Sequence, residues 1–302
     1  MAVKRSLALR YTAMEKKKAL ALGFFDGVHA GHLNVLRLAS AYAEKQGIVP
    51  CAVTFDEHPL SVITGTPVTL ISSKAERERL LRSVGGMDEV IMLPFRELRD
   101  MEPEDFVREI LFKSLNGAFV CCGSDYRFGK DGKGDGEMLK SLCHSLGIEF
   151  ALACQLDDGE SKISSSRLRD AIISGNMELA RRLLSRPYSF SGEVIHGKAL
   201  GRKISSPTMN VRITETLLPR GGVYASFVTV KGIRYESVTN INSKGLAEIF
   251  AFADLGYVYG ETVFCELKSH IRDMISFSSL DELRNQISAD CEESARRLRK
   301  AD

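Results

Sequence analysis

The chain has 302 residues, of which 44% are hydrophobic and 26% are charged, the balance of a globular protein with one or two domains. Its 41 basic and 39 acidic residues leave a formal net charge of +2, which gives no global attraction to nucleic acid or to a membrane surface. No apolar run approaches the ~20 residues of a membrane-spanning helix, and residues 1–18 lack a signal-peptide apolar block. We predict a cytoplasmic protein without nucleic-acid or membrane partners, and we expect a monomer or weak homo-oligomer.

Up to residue 185, short apolar strand patterns alternate with amphipathic helix patterns. Two helix starts are marked by Ser73 with Glu76 three residues later, the pattern of a capping box, and by Pro103 in a first turn. The strand patterns lie at residues 19–24, 48–55, 89–95, 118–123 and 148–154. This alternation predicts an α/β domain, with a parallel sheet and helices on both of its faces.

The pattern changes near residues 185–188, where Pro187 marks a turn. Strand patterns then follow one another with no helix between them, and Lys231-Gly232 separates two of them as a hairpin turn would. This predicts an antiparallel sheet or small β-barrel, followed by a C-terminal helix that starts at Ser279. We therefore expect two domains, residues 1–185 and 186–302.

Cysteine and histidine spacings argue against a structural metal site. The seven cysteines are odd in number and none are spaced as Cys-x-x-Cys, while the six histidines show no His-Glu-x-x-His pattern. We interpret the cysteines as buried thiols in a reducing compartment.

The segment GFFDGVHAGH, residues 23–32, falls where the first predicted strand passes into a helix. Ligands of open α/β sheets bind at the carboxyl ends of strands, and the free N–H groups of a helix amino terminus suit phosphate. His29 and His32 would both face one phosphate there, and Gly31 between them would let the backbone approach closely. A single histidine here would more often cap the helix, but the paired spacing favours a functional site.

His-x-Gly-His in this position resembles the nucleotidylyltransferase superfamily. With VTFDEHP at residues 53–59, GSDYRFGKDGKGD at 123–135 and ISSSRLR at 163–169, the string is similar to the bacterial bifunctional riboflavin kinase/FMN adenylyltransferase (FAD synthetase) family. The resemblance covers nearly the whole chain. It implies a Rossmann-like nucleotidylyltransferase domain followed by a riboflavin kinase-like β-barrel. It also implies ATP, riboflavin and FMN as substrates, with Mg²⁺ as cofactor.

For FMN adenylylation, the resemblance implies that His29 and His32 contact the ATP phosphates and stabilise the transition state. Further nucleotide-binding residues implied by the same motifs are Gly23, Phe24, Asp26, Gly27, Gly31, Ser164, Ser165 and Arg167. Those implied on the flavin side are Phe55, His58, Pro59, Asp125, Arg127, Phe128 and Gly129.

The segment Pro207-Thr208-Met209-Asn210 resembles the PTxN signature of riboflavin kinases. By this resemblance Thr208 and Asn210 would hold Mg²⁺ and the ATP phosphates. Glu248 would be the base that accepts the proton of the riboflavin 5′-hydroxyl, and Arg272 would contact flavin. On periodicity alone, Glu248 would instead be a solvated residue on the polar face of a strand.

Two departures from the family pattern leave an alternative open. Ser205-Ser206 stands where the family has glycine and an aromatic residue before PTxN, and the segment at 240–245 is short. The alternative function is FMN adenylylation alone, with a barrel that binds flavin or regulates. A third hypothesis is a nucleic-acid-binding protein that uses Lys16-Lys17-Lys18 and the basic run at 295–300.

Overall fold

The structure, a computed structural model, describes residues 16–196 and 208–299. The chain divides into two compact units. The first unit runs to Val68 and continues over Lys74–Ile163, and the second contains Thr69–Ser73 and the chain from Ser164 onward.

The first unit is built on a five-stranded sheet whose paired strands are all parallel, as the sequence predicts. The strands lie in the spatial order β3-β2-β1-β4-β5. They are β1 (Lys18–Leu22), β2 (Val49–Phe55), β3 (Glu89–Leu93), β4 (Gly117–Gly123) and β5 (Glu149–Ala153).

Helices connect these strands. They are α1 (Ala30–Gln46), α2 (Pro59–Thr64), α3 (Lys74–Ser83), α4 (Phe95–Leu98), α5 (Pro103–Asp105, continuing as a π-helix over Phe106–Ser114) and α6 (Gly136–Ser145). The sequence predicts an ordinary α-helix at α5, whereas Phe106–Ser114 forms the wider π-helix. Within it, Ser114 Oγ donates to the Glu109 carbonyl oxygen at 2.7 Å.

The sheet has a hydrophobic core on each face. Every residue of β1 is buried, because this central strand has helices above and below it. Leu20 and Leu22 belong to one core, and Ala19 and Ala21 to the other. Five of the seven cysteines are buried, as the sequence-based interpretation expects, whereas Cys154 is exposed and Cys291 is only partly buried. Burial raises the pKa of Cys51 to about 12.

The strand order creates a ligand-binding crevice in the first unit. Strand β1 is the central strand, with β2 on one side and β4 on the other. The chain fills the first side with β2 and β3 and then crosses to the second side, where β4 lies next to β1. Open α/β sheets bind ligands at such a switch point, outside the carboxyl ends of the strands. The segments at 23–32 and 123–135 follow β1 and β4, so the fold places both beside this crevice.

The second unit contains a closed antiparallel barrel, which confirms the second predicted architecture. Its strand order is β10-β7-β6-β11-β8-β9. The strands are β6 (Tyr188–Ile195), β7 (Met209–Arg212), β8 (Gly222–Val230), β9 (Ile233–Ile241), β10 (Leu246–Ala251) and β11 (Thr262–Arg272). The other helices of this unit are α7 (Ser165–Ser174), α8 (Met177–Leu184) and α9 (Leu280–Arg299).

The predicted hairpin turn joins β8 to β9. Lys231 and Gly232 have φ of 50° and 81°, the left-handed pair that a two-residue hairpin turn requires. At the start of α9, Ser279 Oγ accepts from the Glu282 N–H at 3.1 Å, as the capping pattern predicts.

Within residues 16–196 and 208–299, no helix is both long and apolar enough to cross a membrane. The predictions for Ser205, Ser206 and Pro207 lie outside the described residues.

Candidate active sites

The turn after β1 has an unusual backbone. Phe25, Gly27 and Val28 all have positive φ, at 60°, 73° and 45°. A left-handed Val28 is costly because its branched side chain crowds the backbone. Phe25 and Val28 are buried at 1% and 0% exposure, so core packing holds the turn in this shape.

His29 and His32 are brought together by the start of α1. His29 is the N-cap, and its Nδ1 accepts a hydrogen bond from the His32 N–H at 3.3 Å. The two imidazole rings stack with centroids 3.6 Å apart and planes 15° apart. A Cβ on Gly31 would lie 3.1 Å from the His29 ring, so glycine leaves room for this arrangement. His29 thus both caps the helix and joins the predicted pair at its amino end.

Aromatic residues surround this turn. The Phe24 ring meets the His58 ring edge-to-face at 4.6 Å, and His58 caps α2, whose first residue is Pro59. Phe55, the last residue of β2, packs against Phe95 at 5.0 Å. The residues predicted after β1 and β2 therefore lie close together. A Cβ on Gly23 would clash with the Phe25 ring at 2.8 Å.

The loop after β4 contains the other predicted flavin-side residues. Asp125 is 74% exposed and pairs with Lys162 at 2.8 Å; this hydrogen bond lowers the pKa of Asp125, and His29 adds to the effect. Arg127 is exposed and lies 3.5 Å from Asp135. Sequence reasoning missed Lys162, although it directly precedes the ISSSRLR motif.

Phe128 and Gly129 occupy buried positions in the same loop. Phe128 is 5% exposed and packs in the core with Phe106 and Tyr126, so the structure does not present its ring at the crevice. Gly129 has φ of 70°, and a Cβ there would lie 2.6 Å from Pro103. The flavin contact of Phe128 stays a prediction, and the structure gives it a packing role.

Ser164, Ser165 and Arg167 lie at the amino end of α7 in the second unit. Ser164 is the N-cap, and its Oγ accepts from the Arg167 N–H at 3.4 Å. This end of α7 carries the hydroxyl groups and N–H donors that bind anions at helix starts. The predicted contact of these residues with ATP stays a prediction.

Glu248 lies among amide side chains inside the second unit. On β10 it pairs across the ladder with Asn210 of β7 and with Asn240 of β9. Asn240 Nδ2 donates to Glu248 Oε2 at 3.1 Å. Glu248 is half-buried, on the less buried face of β10 that the alternation predicts, and it lines a cavity; its role as a base stays a prediction. Sequence reasoning missed Asn240, which forms this contact.

The cavity beside Glu248 is mainly apolar and has a charged edge. Arg272 binds Asp290 of α9 through two hydrogen bonds, of 2.8 and 2.6 Å, and Gln286 donates to the same carboxylate. The apolar walls come from Val223, Val238, Phe250, Met274, Ile275, Phe277, Leu283 and Ile287. A flat apolar ring with polar edges, such as a flavin, fits this lining chemically.

A second cavity lies next to the first. Thr208 and Phe250 line both cavities. The second continues along Phe252, Asp254, Leu255, Gly256, Val258 and Tyr259. Glu248 lines the first cavity only, and Thr208 lies at the border of the two.

The oxygen-bearing side chains on and beside β10 fit Mg²⁺ chemically. Thr208 lines both cavities, Glu248 lines the first, and Asn210 is the ladder partner of Glu248; they carry hydroxyl, carboxylate and amide oxygens, the ligands that hard cations prefer. Asn240 Oδ1 is buried without a hydrogen-bond partner in the described part of the chain. No cluster of three or more His, Cys, Asp or Glu residues suited to a metal occurs among the residues that the structure describes.

Several residues of the basic runs are paired with acidic side chains. Lys18 is 2% exposed at its side chain and pairs with Glu89 at 2.9 Å. Arg296 and Arg297 both bind Glu293 at 2.6 Å, and residue 300 lies outside the described residues. These pairings weaken the nucleic-acid hypothesis.

The chain combines a parallel-sheet unit that carries a His-x-Gly-His turn with a barrel that has two adjoining cavities. This combination defines a two-domain transferase that uses nucleotides. A sequence profile described as FAD synthetase matches residues 12–167, and one described as riboflavin kinase matches residues 184–298. The chain belongs to the bifunctional riboflavin kinase/FMN adenylyltransferase family.

Individual relatives agree with this assignment. The chain is 32% identical over 298 residues to the bifunctional riboflavin kinase/FMN adenylyltransferase of Bacillus subtilis, with 93% of each chain covered. It is 31% identical to the Escherichia coli protein of that name, with 90% of each covered. A crystal structure described as a macrolide-efflux protein from Streptococcus pneumoniae is 30% identical, with a TM-score of 0.80 over 93% of this chain and 94% of that one.

Proposed function

We propose that this chain makes FAD from riboflavin in two reactions. In the first, ATP transfers its γ-phosphoryl group to the riboflavin 5′-hydroxyl, which yields FMN and ADP. In the second, FMN takes the adenylyl group of another ATP, which yields FAD and pyrophosphate. The observation that carries the proposal is that the FAD synthetase and riboflavin kinase profiles match separate parts of the one chain.

For the second reaction, we assign His29 and His32 to the phosphates of ATP. An FMN phosphate oxygen forms a bond to the α-phosphorus, and the bond to the pyrophosphate oxygen breaks. Negative charge shifts onto the leaving pyrophosphate, and the protein must align two anions and stabilise that charge. The stacked imidazoles at the amino end of α1 supply N–H donors next to a positive helix end.

For the first reaction, we assign Glu248 as the base. Its carboxylate accepts the 5′-hydroxyl proton as the riboflavin oxygen attacks the γ-phosphorus, and ADP leaves. The hydrogen bond from Asn240 fixes one carboxylate oxygen, which leaves the other for the substrate. The apolar cavity takes the flavin ring, and the adjoining cavity takes the nucleotide.

We further propose that Thr208 and Asn210 hold Mg²⁺ at the border of the two cavities. When bound, Mg²⁺ supplies positive charge that offsets the charge of the phosphates. Asn240 Oδ1, which has no hydrogen-bond partner among the described residues, is a further oxygen on a residue that lines the cavity beside Glu248.

The alternative of a barrel without kinase activity is not favoured, because the matching riboflavin kinase profile and the Glu248–Asn240 contact are both present. We also propose that the protein works in the cytoplasm, since its buried cysteines are free thiols. Light scattering would test the expected monomer or weak homo-oligomer.

Incubation of the full chain with riboflavin, ATP and Mg²⁺, followed by chromatography of the flavins, tests the proposal. FMN should appear first and FAD should follow. A parallel reaction that starts from FMN isolates the second step, and pyrophosphate release measures it independently. FAD from FMN without any FMN from riboflavin would leave only the adenylyltransferase assignment; no FAD from FMN would remove that assignment.

A further inference from the structure

Arg77 of α3 is a buried cation next to the turn after β1. Its side chain has 0% exposure, and it is the largest of the fully buried side chains in the described chain. Its guanidinium carbon lies 4.1 Å from the centre of the Phe24 ring. Its Nη2 donates to the Phe55 carbonyl oxygen at 2.7 Å. Arg77 thus contacts the segments that follow β1 and end β2.

The charge of Arg77 is only partly compensated by hydrogen bonds. Its Nε and Nη1 atoms are buried and have no hydrogen-bond partner in the described part of the chain. Burial lowers the pKa of the guanidinium, and the carboxylates of Asp26 and Asp56 raise it. Arginine nevertheless keeps its proton in proteins. A buried charge with two unused donors opposes folding, so its presence beside a ligand-binding turn calls for a functional reason.

The neighbouring carboxylates supply that reason. Asp26 is 3% exposed within the turn, and Asp56 directly follows β2. Both add negative charge at the end of the sheet where, under the proposed function, ATP and FMN must bring their phosphates together. Without a nearby cation, this charge would repel both substrates.

We infer that Arg77 is a positioning residue of FMN adenylylation. Its charge offsets Asp26 and Asp56, and its planar group holds Phe24 and the end of β2 in place. Arg77 contacts no substrate in this proposal. The inference rests on the proposed function, since it assumes that anionic substrates bind at the turn after β1.

The main test is Arg77→Met in the full chain, which keeps bulk but removes charge. We expect the KM values for ATP and FMN to rise about tenfold or more, because an anion-attracting charge is lost. The kcat should change much less, since His29 and His32 remain. Calorimetry with inorganic pyrophosphate should show a matching loss of affinity, which does not depend on turnover. Arg82→Met is the matched control, because Arg82 lies on α3 but is 45% exposed.

A charge-rescue variant separates this role from a purely structural one. Asp56 Oδ1 accepts from the N–H groups of Glu57 and Phe95, and an asparagine would keep that acceptor while removing the charge. Asp56→Asn should therefore recover much of the pyrophosphate affinity lost in Arg77→Met. If Arg77→Met alone does not fold, the doubly substituted chain is compared with the wild type, which has the same net charge at this turn, and affinities within about twofold support charge balance.

Two results would overturn the inference while leaving the proposed function intact. One is a wild-type chain that forms FAD, with Arg77→Met unchanged in KM and in pyrophosphate affinity. The other is a loss of affinity that Asp56→Asn does not recover. A wild-type chain that forms no FAD contradicts the proposed function instead. Riboflavin phosphorylation and thermal unfolding, measured on each variant, report whether the protein is folded.

Discussion

Replacing Glu248 by glutamine tests the chemical role of one carboxylate at nearly constant shape. Glu248 lies between Asn210 and Asn240 on neighbouring strands and accepts a 3.1 Å hydrogen bond from Asn240 Nδ2. Glutamine keeps a carbonyl oxygen for that bond but cannot take the hydroxyl proton. General-base catalysis is worth about 10²–10⁴ in rate. We expect the kcat of riboflavin phosphorylation to fall by that factor, with a smaller change in the KM for riboflavin.

The assay is chromatographic detection of FMN from riboflavin, with FAD formation from added FMN as the internal reference. The second reaction should stay at the wild-type rate, because its assigned histidines lie in the first unit. Glu261→Gln is the matched control, since this carboxylate lies on the same unit, is 44% exposed and pairs with Lys231. A Glu248→Gln enzyme with wild-type kcat would refute the base assignment. A drop of the same size in Glu261→Gln would show that the effect is not specific.

Three further predictions concern the other proposed features. His29→Ala should reduce FAD formation from FMN by about 10²–10³ with riboflavin phosphorylation unchanged; near-wild-type FAD synthesis would contradict its role. A chain of residues 1–185 should form FAD, whereas one ending at Ile163 should not, because it lacks the serines at the start of α7; an inactive but folded 1–185 chain would make the predicted boundary wrong. Asp290→Ala should lower the free energy of unfolding by about 3–5 kcal/mol, since it leaves Arg272 without its buried partner; an unchanged denaturation midpoint would contradict this.

The sequence predicts the architecture well because the relevant signals are local. Alternating patterns reveal the parallel sheet, and Lys231-Gly232 adopts the left-handed turn that its residue types favour. The histidine pair is equally local, since its members are three positions apart at a helix start. Such features depend on neighbours in the chain, which a sequence displays directly.

Contacts between distant segments could not be predicted in the same way. Arg77 lies in the charged run KAERER, which is typical of a solvated helix face. Arg77 lies three and four positions before Leu80 and Leu81, so the three side chains share one face of the helix. That face packs against the core, and Arg77 is buried with it. The partner of Arg272 is Asp290, which comes from a different element. Phe128 is a second misleading position. It lies in a glycine-rich loop, which suggests an exposed side chain, but its ring packs in the core.

Under the proposed function, the shared wall of the two barrel cavities couples the binding of flavin and nucleotide. Phe250 and Thr208 line both cavities, so a side-chain orientation that one ligand selects forms part of the wall that the other ligand contacts. By linkage, the factor by which flavin changes nucleotide affinity equals the factor by which nucleotide changes flavin affinity. A single molecule that joins the two ligands through a short linker would gain avidity by making its second contact intramolecular. Selective inhibitors of the barrel can therefore be sought among such bisubstrate compounds.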